Sequence, residues 1–307
     1  MRPAIGAWMR ERFPLRNTVF FAVFHATALL VARAASADGP VTVGWRDLAA
    51  FPAVWCFFLM LRVFDEHKDF DADAIAHPNR VLQRGLISLH DLRNVGAIAI
   101  AVQVGTSMWI DGGIGTVTAW WSVALLWSVL MAREFFARRW LRRHLIVYAL
   151  THIVVMVFLA MWIGTMGSTR AASTLAPWVF AGVSVLAGLT FEIARKIRAP
   201  EEEHPLADSY TQALGVPAAS RLLAALIVTT AISALWLTVI LTGHLGSVAM
   251  AALASVVVMA AAALARFRTR PTPRDAKRSE AAVGIAALVT HAVIIGALLT
   301  EHGVRLP

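Results

Sequence analysis

Carboxylate side chains are concentrated between positions 65 and 73. Five of these nine residues are acidic: Asp65, Glu66, Asp69, Asp71 and Asp73. If one helix runs through the segment, Asp65, Asp69 and Asp73 recur every four residues and share a face. Like charges at this spacing destabilise a helix by roughly 0.2–0.5 kcal/mol per pair. Mg²⁺ would compensate for this repulsion, because it binds oxygen ligands and commonly shares them with phosphates. The segment therefore predicts a magnesium site for a phosphate-bearing ligand.

Basic side chains are interleaved with these carboxylates. They are Arg62, Lys68 and Arg80. A diphosphate needs this combination, because a metal ion neutralises some of its oxygens and basic groups bind the others. The chain then turns, breaks again at Gly85, and begins a new helix with a capping-box pattern of Ser88 and Asp91. We expect this cap to close over a charged head group. The alternative is a solvated acidic helix end that the three basic residues neutralise.

The elements that must position these residues are membrane helices. The chain is 58% hydrophobic and 15% charged, with a mean hydropathy of +0.66. A bilayer requires roughly 20 predominantly apolar residues per helix, and such runs recur along the whole chain. We expect an all-α integral membrane protein: a nine-helix transmembrane bundle with cytoplasmic cap loops, forming a single domain over residues 1–307. The predicted spans are 18–35, 48–63, 95–110, 116–131, 145–164, 175–191, 222–241, 248–264 and 281–299.

The basic residues are distributed unevenly over the predicted connections. If the N-terminus is cytoplasmic, 24 of the 28 Lys and Arg residues fall on the cytoplasmic side. This asymmetry predicts a multi-pass protein of the cell membrane with a cytoplasmic N-terminus and an extracytoplasmic C-terminus. Topology and anionic lipid account for the net charge of +9, so the sequence does not call for a nucleic-acid partner. The basic connection at 266–278 is expected to be a solvated surface loop.

The acidic segment resembles the first aspartate-rich motif of the UbiA superfamily of intramembrane prenyltransferases, which is written NDxxDxxxD. Asp65 stands at the Asn position, and Glu66, Asp69 and Asp73 stand at the acidic ones. Residues 77–85 are similar to the continuation of that motif, with Val81 at a position where the family usually has Pro. Nine spans with an inside N-terminus also fit the family.

The resemblance implies a prenyltransferase that uses Mg²⁺. A polyprenyl diphosphate would place its head group on Mg²⁺, and an allylic polyprenyl group would pass to an electron-rich acceptor, for example an aromatic one. The implied catalytic and metal-binding residues are Asp65, Glu66, Asp69 and Asp73. The lipid bilayer is the other expected partner, and the sequence indicates no protein partner.

A second charged region follows the sixth predicted span, where UbiA relatives carry another aspartate-rich motif. Its residues are Glu192, Arg195, Lys196, Arg198, Glu202 and Glu203. The location matches the family, but the acidic spacing does not. Fixed cations at 195, 196 or 198 are expected to bind the diphosphate in place of a second metal ion, with Glu192 orienting one of them. The alternative is a salt-bridged helix end, stopped by Pro200 and followed by a solvated acidic loop.

A third basic region lies between the fourth and fifth predicted spans. UbiA relatives have a Tyr-x-x-x-Lys pattern here that touches the diphosphate. Phe135 and Arg139 have that spacing without the tyrosine hydroxyl. We expect Arg139 to bind diphosphate; the alternative is a positive-inside surplus. Within the spans, His25, His152 and His291 fit hydrogen-bonded packing residues, and His152 is also placed to line an acceptor pocket.

Two other functions are compatible with parts of this pattern. A phosphatidyl-alcohol transferase also combines lipid, Mg²⁺ and diphosphate, but its Asp-Gly-x-x-Ala-Arg signature is missing from the sequence. A non-catalytic protein that binds or carries prenyl lipids is the stronger alternative, because the second acidic region departs from the family pattern. Release of diphosphate would separate the enzyme from the binder.

Overall fold

The computed structural model describes residues 2–36, 41–203 and 209–305. These residues are almost entirely helical. The helices are α1 (Arg2–Arg12), α2 (Thr18–Ala34), α3 (Trp45–Lys68), α4 (Phe70–Ala76), α5 (Leu89–Asp111), α6 (Thr116–Ala132), α7 (Arg138–Arg143), α8 (Leu145–Ile153), α9 (Val155–Gly167), α10 (Leu175–Arg195), α11 (Tyr210–Leu214), α12 (Val216–Thr242), α13 (Ser247–Thr269) and α14 (Pro273–His302). Two short strands, β1 (Val41–Thr42) and β2 (Val304–Arg305), pair in parallel.

Among the described residues, seven helical segments are long and apolar enough to cross a membrane. They are Leu15–Ala34, α3, the combined α8 and α9 (Leu145–Gly167), α10, α12, α13 and α14. The structure therefore confirms an all-α membrane fold. Two of the predicted spans correspond to α5 and α6, which are not among the seven. Helix α6 has 17 residues, or roughly 26 Å of helix, and α5 carries charges in its first turns. The count of nine spans stays a prediction.

Local sequence signals determine several helix ends. Ser88 caps α5: its hydroxyl accepts a hydrogen bond from the Asp91 N–H at 3.1 Å, and the Asp91 carboxylate accepts one from the Ser88 N–H at 3.1 Å. The predicted capping box is thus confirmed. Before it, Gly85 has a φ of +71°, a conformation that glycine adopts without strain. The basic connection at 266–278 differs from the expected loop, because α13 extends to Thr269 and α14 already begins at Pro273.

Small residues allow the helices of the bundle to pack closely. Helix α10 contacts α9, α12, α14 and α2. At the end of α9, a β-carbon added to Gly167 would lie 2.7 Å from the backbone oxygen of Leu29 in α2, so only glycine fits. At the same end of the bundle, Arg33 of α2 donates two hydrogen bonds of 2.6 Å to the Asp47 carboxylate of α3. The pairing of Val41 with Val304 places the end of α14 beside them.

Candidate functional site

A cavity of about 560 Å³ opens at the opposite end of the bundle, which we call the cavity end. It lies where α3, α4, α8 and α10 meet, with α6 beside them. Polar side chains surround its mouth. The wall deeper in the bundle is largely apolar and includes Leu61, Met131, Ala149, Ile153, Gly188 and Phe191. One cavity therefore joins a charged head region to an apolar interior.

Three carboxylates of the acidic segment line this cavity: Asp65, Asp69 and Asp73. Helix α3 ends at Lys68, and Asp69 bends the backbone before α4 begins. Two backbone hydrogen bonds bridge the bend, from the Asp69 N–H to the Asp65 oxygen (2.9 Å) and from the Asp73 N–H to the Asp69 oxygen (2.8 Å). The helical spacing thus survives the bend, and the three side chains share the face that the sequence predicts.

Each outer carboxylate of this trio has a cation beside it. The Lys68 ammonium lies 3.2 Å from the Asp65 carboxylate and 4.0 Å from that of Asp69. Arg80 reaches back from the cap and contacts the Asp73 carboxylate at 2.5 Å. Arg12 of α1 contacts Asp73 from another side at 3.4 Å. Both Lys68 and Arg80 line the cavity, as does Arg12, which was not among the residues predicted for the site.

Glu66 has different surroundings from its three acidic neighbours. Its side chain is only 1% exposed, and it pairs with Arg12 at 2.6 Å and with Arg62 at 2.7 Å. It is not among the described residues that line the cavity, whereas both arginines are. A position next to Asp65 is rotated by about 100° around a helix, so Glu66 turns towards the bundle. The structure thus separates Glu66 from the predicted set of metal ligands.

The end of α10 forms the wall of the cavity that faces the acidic segment. Glu192 contacts the Lys196 ammonium at 2.7 Å and the Arg195 guanidinium at 2.7 Å, and all three side chains line the cavity. Lys196 caps the helix end and remains 21% exposed. Two of the three predicted cations of the second region are therefore brought to the acidic segment.

Tyr148 and His152 of α8 complete the wall between these two regions. The Lys68 ammonium donates a hydrogen bond of 3.1 Å to the Tyr148 hydroxyl. The ammonium groups of Lys68 and Lys196 lie 5.8 Å and 5.9 Å from the centre of the Tyr148 ring. The His152 ring stacks on Tyr148 with 4.0 Å between centroids, so the predicted position of His152 in the cavity wall fits.

Tyr148 was not among the predicted site residues. Phe135 and Arg139 were the residues expected at the family's Tyr-x-x-x-Lys pattern, and the tyrosine hydroxyl is missing there. The spacing Tyr148-x-x-x-His152 occurs 13 residues later, and both residues line the cavity. The sequence therefore does contain a tyrosine at the spacing of the family pattern, with His152 at the position of the family's lysine.

Four other predicted site residues lie outside the described lining of the cavity. Arg139 is exposed on the short helix α7. The Arg198 backbone N–H donates to the Thr211 hydroxyl at 2.9 Å, and Glu202 is exposed in a short 3₁₀ turn. The Glu203 carboxylate accepts hydrogen bonds from Ser209 (2.8 Å) and Thr211 (2.6 Å). The end of the second region is thus tied to α11.

Asp69 and His77, which lie outside the membrane-spanning helices, have shifted pKa values. Burial raises the pKa of the Asp69 carboxyl; Asp65 and Asp73 raise it further, and Lys68 opposes them. Desolvation lowers the pKa of His77, and the charge of Arg80 lowers it as well. A cation bound among the three aspartates would favour the ionised form of Asp69.

The donor chemistry of the acidic segment fits Mg²⁺. Asp65, Asp69 and Asp73 offer carboxylate oxygens, which are the ligands that this ion prefers. In the described part of the chain, no three His, Cys, Asp or Glu side chains are gathered tightly enough to enclose a metal ion. An ion here would thus take some of its oxygen ligands from water or from a phosphate.

Two solved structures share this architecture. The first comes from work on digeranylgeranylglyceryl phosphate synthase in membranes; it has a TM-score of 0.63 and 16% identity, covering 96% of this chain and 99% of that one. The second is the apo structure of a UbiA homologue from Aeropyrum pernix K1, with a TM-score of 0.68 and 16% identity, covering 92% of this chain and 98% of that one. The protein has the UbiA fold.

The UbiA fold confirms the architecture that the acidic motif implied. No protein-family model matches the sequence, and no curated protein is significantly similar to it. The fold of UbiA homologues extends over nearly the whole chain, and the part of the chain that the structure describes has seven helices long and apolar enough to cross a membrane. The protein is therefore a multi-pass membrane protein.

Proposed function

We propose that this UbiA-fold protein is an intramembrane prenyltransferase that moves an allylic polyprenyl group from its diphosphate to an electron-rich acceptor with Mg²⁺. One observation carries the proposal: a single cavity joins three carboxylates and several cations at its mouth to an apolar interior. A polyprenyl diphosphate has the same division into an anionic head and a hydrocarbon chain. The cavity end of the bundle would face the cytoplasm.

The diphosphate head would lie between the two charged walls. Asp65, Asp69 and Asp73 would hold Mg²⁺, which neutralises diphosphate oxygens when it is bound. Lys68 and Lys196, whose ammonium groups lie 5.8 Å and 5.9 Å from the centre of the Tyr148 ring, would contact other oxygens directly. As the bond between the allylic carbon and the diphosphate oxygen breaks, negative charge develops on the leaving group. Cations held in place by the fold stabilise that charge without reorganising.

The acceptor would bind next to His152. The Nδ1 atom of this ring lies 2.8 Å from the Tyr148 carbonyl oxygen, which can only accept, so Nδ1 carries the proton in the neutral ring. Nε2 then has a free lone pair, and it is buried without a hydrogen-bond partner among the described residues. It can accept a hydrogen bond from a hydroxyl group of the acceptor.

Release of inorganic diphosphate tests the proposed activity. The purified chain would be incubated with geranyl, farnesyl or geranylgeranyl diphosphate, Mg²⁺ and a panel of phenolic and alcoholic acceptors. We expect diphosphate release and a prenylated product with at least one pair, and loss of both on adding EDTA. Asp69→Asn protein provides the matched inactive control. Release that EDTA and Asp69→Asn leave unchanged would contradict the assignment.

A non-catalytic prenyl-lipid binder or carrier is the second candidate. The observation that favours it is the pairing within the site: Lys68, Arg80 and Lys196 already contact carboxylates of the chain itself. This function predicts saturable binding of geranylgeranyl diphosphate with no diphosphate release. Equilibrium binding measured beside the release assay separates the two functions.

A further inference from the structure

The first turns of α14 form a charged surface of their own. The Thr272 hydroxyl accepts a hydrogen bond from the Asp275 N–H at 3.2 Å, and Pro273 stands at the first helical position. Both features favour helix initiation. The basic side chains from 273 onwards are therefore spaced by a helix rather than spread along a loop.

One buried carboxylate organises this surface. Asp275 is only 6% exposed, and it contacts Arg278 at 3.0 Å and Arg266 of α13 at 3.3 Å. Arg274 and Lys277 are exposed and are not part of this cluster. Six cations lie between 266 and 278 with a single acidic residue, so the surface keeps a strong positive charge.

A shallow groove of about 480 Å³ runs along these residues. Its lining is Pro273, Arg274, Lys277, Arg278 and Ala281. The three cations are three and four positions apart, which places them on one side of the helix. An anionic group in the groove would meet three cations at once.

The exposed face of α14 changes from cationic to apolar along the helix. After Ala281 it continues through Ile285, Ala292 and Leu299, all of which are exposed. These positions lie within about 40° of Arg274 around the helix at 3.6 residues per turn. Helix α14 has 30 residues, whereas a bilayer requires roughly 20, so its first turns extend into the head-group layer. The cations thus lie at head-group level and the apolar residues at the level of the acyl chains.

We infer that this groove is a binding site for an anionic phospholipid, with the phosphate on Arg274, Lys277 and Arg278 and the acyl chains along Ala281 and Ile285. A zwitterionic lipid carries its own cation and gains less from three positive side chains. The groove and the proposed catalytic cavity lie on different sides of α14. Glu280 is on the side that faces the cavity, where it interacts electrostatically with Arg195 of the cavity wall. The inference is independent of the proposed prenyl transfer.

Native mass spectrometry of the full chain tests the site. The protein in detergent would be titrated with dioleoylphosphatidylglycerol and, separately, with dioleoylphosphatidylcholine. We expect tighter binding of the phosphatidylglycerol. Arg274→Gln/Lys277→Gln should weaken that binding on the order of tenfold and leave phosphatidylcholine binding unchanged. Both side chains are exposed, so this variant should melt like the parent.

The matched control removes two exposed arginines from the same end of the bundle, Arg10→Gln/Arg93→Gln. It should keep the parent affinity for phosphatidylglycerol. Equal loss in both double variants would show that net charge alone attracts the lipid and would overturn the site. Parent-like binding by Arg274→Gln/Lys277→Gln, or no preference between the two lipids, would overturn it as well. Arg278→Lys, which keeps the charge, should retain binding.

Discussion

Among single residues, acidic side chains that are close in sequence have different roles. Asp69 lines the cavity and is 37% exposed, while Glu66, three positions earlier, is 1% exposed between two arginines. A buried carboxylate that holds two guanidinium groups is a structural group, since removing it leaves those charges uncompensated. A half-exposed carboxylate beside two others is available to a metal ion.

Exchanging each of these carboxylates for its amide should therefore give two different defects. Asp69→Asn should reduce prenyl transfer on the order of 10²-fold or more with a melting temperature close to the parent, because it removes a proposed magnesium ligand. Glu66→Gln should lower the free energy of unfolding by about 1–3 kcal/mol. Turnover per folded molecule and detergent-phase thermal melting measure the two effects. A stable, fully active Asp69→Asn protein would exclude this residue from the site.

Substitutions at Lys196 and Arg139 test whether the position of a cation in the fold decides if it binds the diphosphate. Lys196→Gln should depress single-turnover transfer on the order of 10²-fold, because its ammonium lies in the cavity wall. Arg139→Gln is the matched control, since it removes an exposed charge on α7 and should leave the rate near the parent value. If Lys196→Gln matches the parent, the end of α10 is a structural salt bridge, as the alternative interpretation holds.

At the scale of elements, the site depends on how closely the helices approach one another. Helix α9 meets α2 at Gly167, and the continuous Leu145–Gly167 segment also carries Tyr148 and His152 at its other end. The atom that a side chain at 167 would meet is a backbone oxygen, which cannot rotate away. The packing of this segment therefore holds the cavity wall in position.

Gly167→Ala should destabilise the protein by about 1–3 kcal/mol, because the two backbones must move apart to admit a methyl group. Gly182→Ala is the control within α10, where an added β-carbon meets nothing within 4 Å and alanine favours the helix. We expect its melting temperature to equal or exceed that of the parent. Equal melting of the two variants would contradict the close approach of α2 and α9.

At the scale of the whole molecule, the charges of the site and the basic start of α14 are at one end of the bundle, while the Arg33–Asp47 pair is at the other. The positive-inside asymmetry predicts that the cavity end faces the cytoplasm. A head group bound there would enter from the cytoplasmic leaflet, and its chain would follow the apolar wall into the bilayer.

Single-cysteine labelling tests this orientation, because Cys56 is the one cysteine of the sequence. In a Cys56→Ala background, Leu245→Cys places a thiol in the turn between α12 and α13, where the native side chain is 49% exposed. A membrane-impermeant maleimide should label it in intact cells. Arg139→Cys, at the cavity end, should react only after permeabilisation. The reverse pattern would invert the proposed topology.

Features that follow from local spacing and from contact with the solvent could be predicted from the sequence alone. The length of the apolar runs predicts membrane helices, the pattern of Ser88 and Asp91 predicts the start of α5, and four-residue steps predict the shared face of Asp65, Asp69 and Asp73. Each of these depends on residues within one or two helical turns. The same holds for the acidic motif and for the UbiA architecture that it implied, which the solved structures confirm.

Which charged groups meet depends on tertiary packing. Arg12 reaches Glu66 and Asp73 across more than 50 residues, and Tyr148 meets Lys68 across 80. Arg139, which has the right charge and comes from the expected connection, lies outside the cavity. Charge and spacing do not distinguish these cases, because an ion pair between helices depends on the rotation and depth of both helices. Packing of distant apolar faces, with contacts as specific as Gly167 against Leu29, sets that rotation and depth.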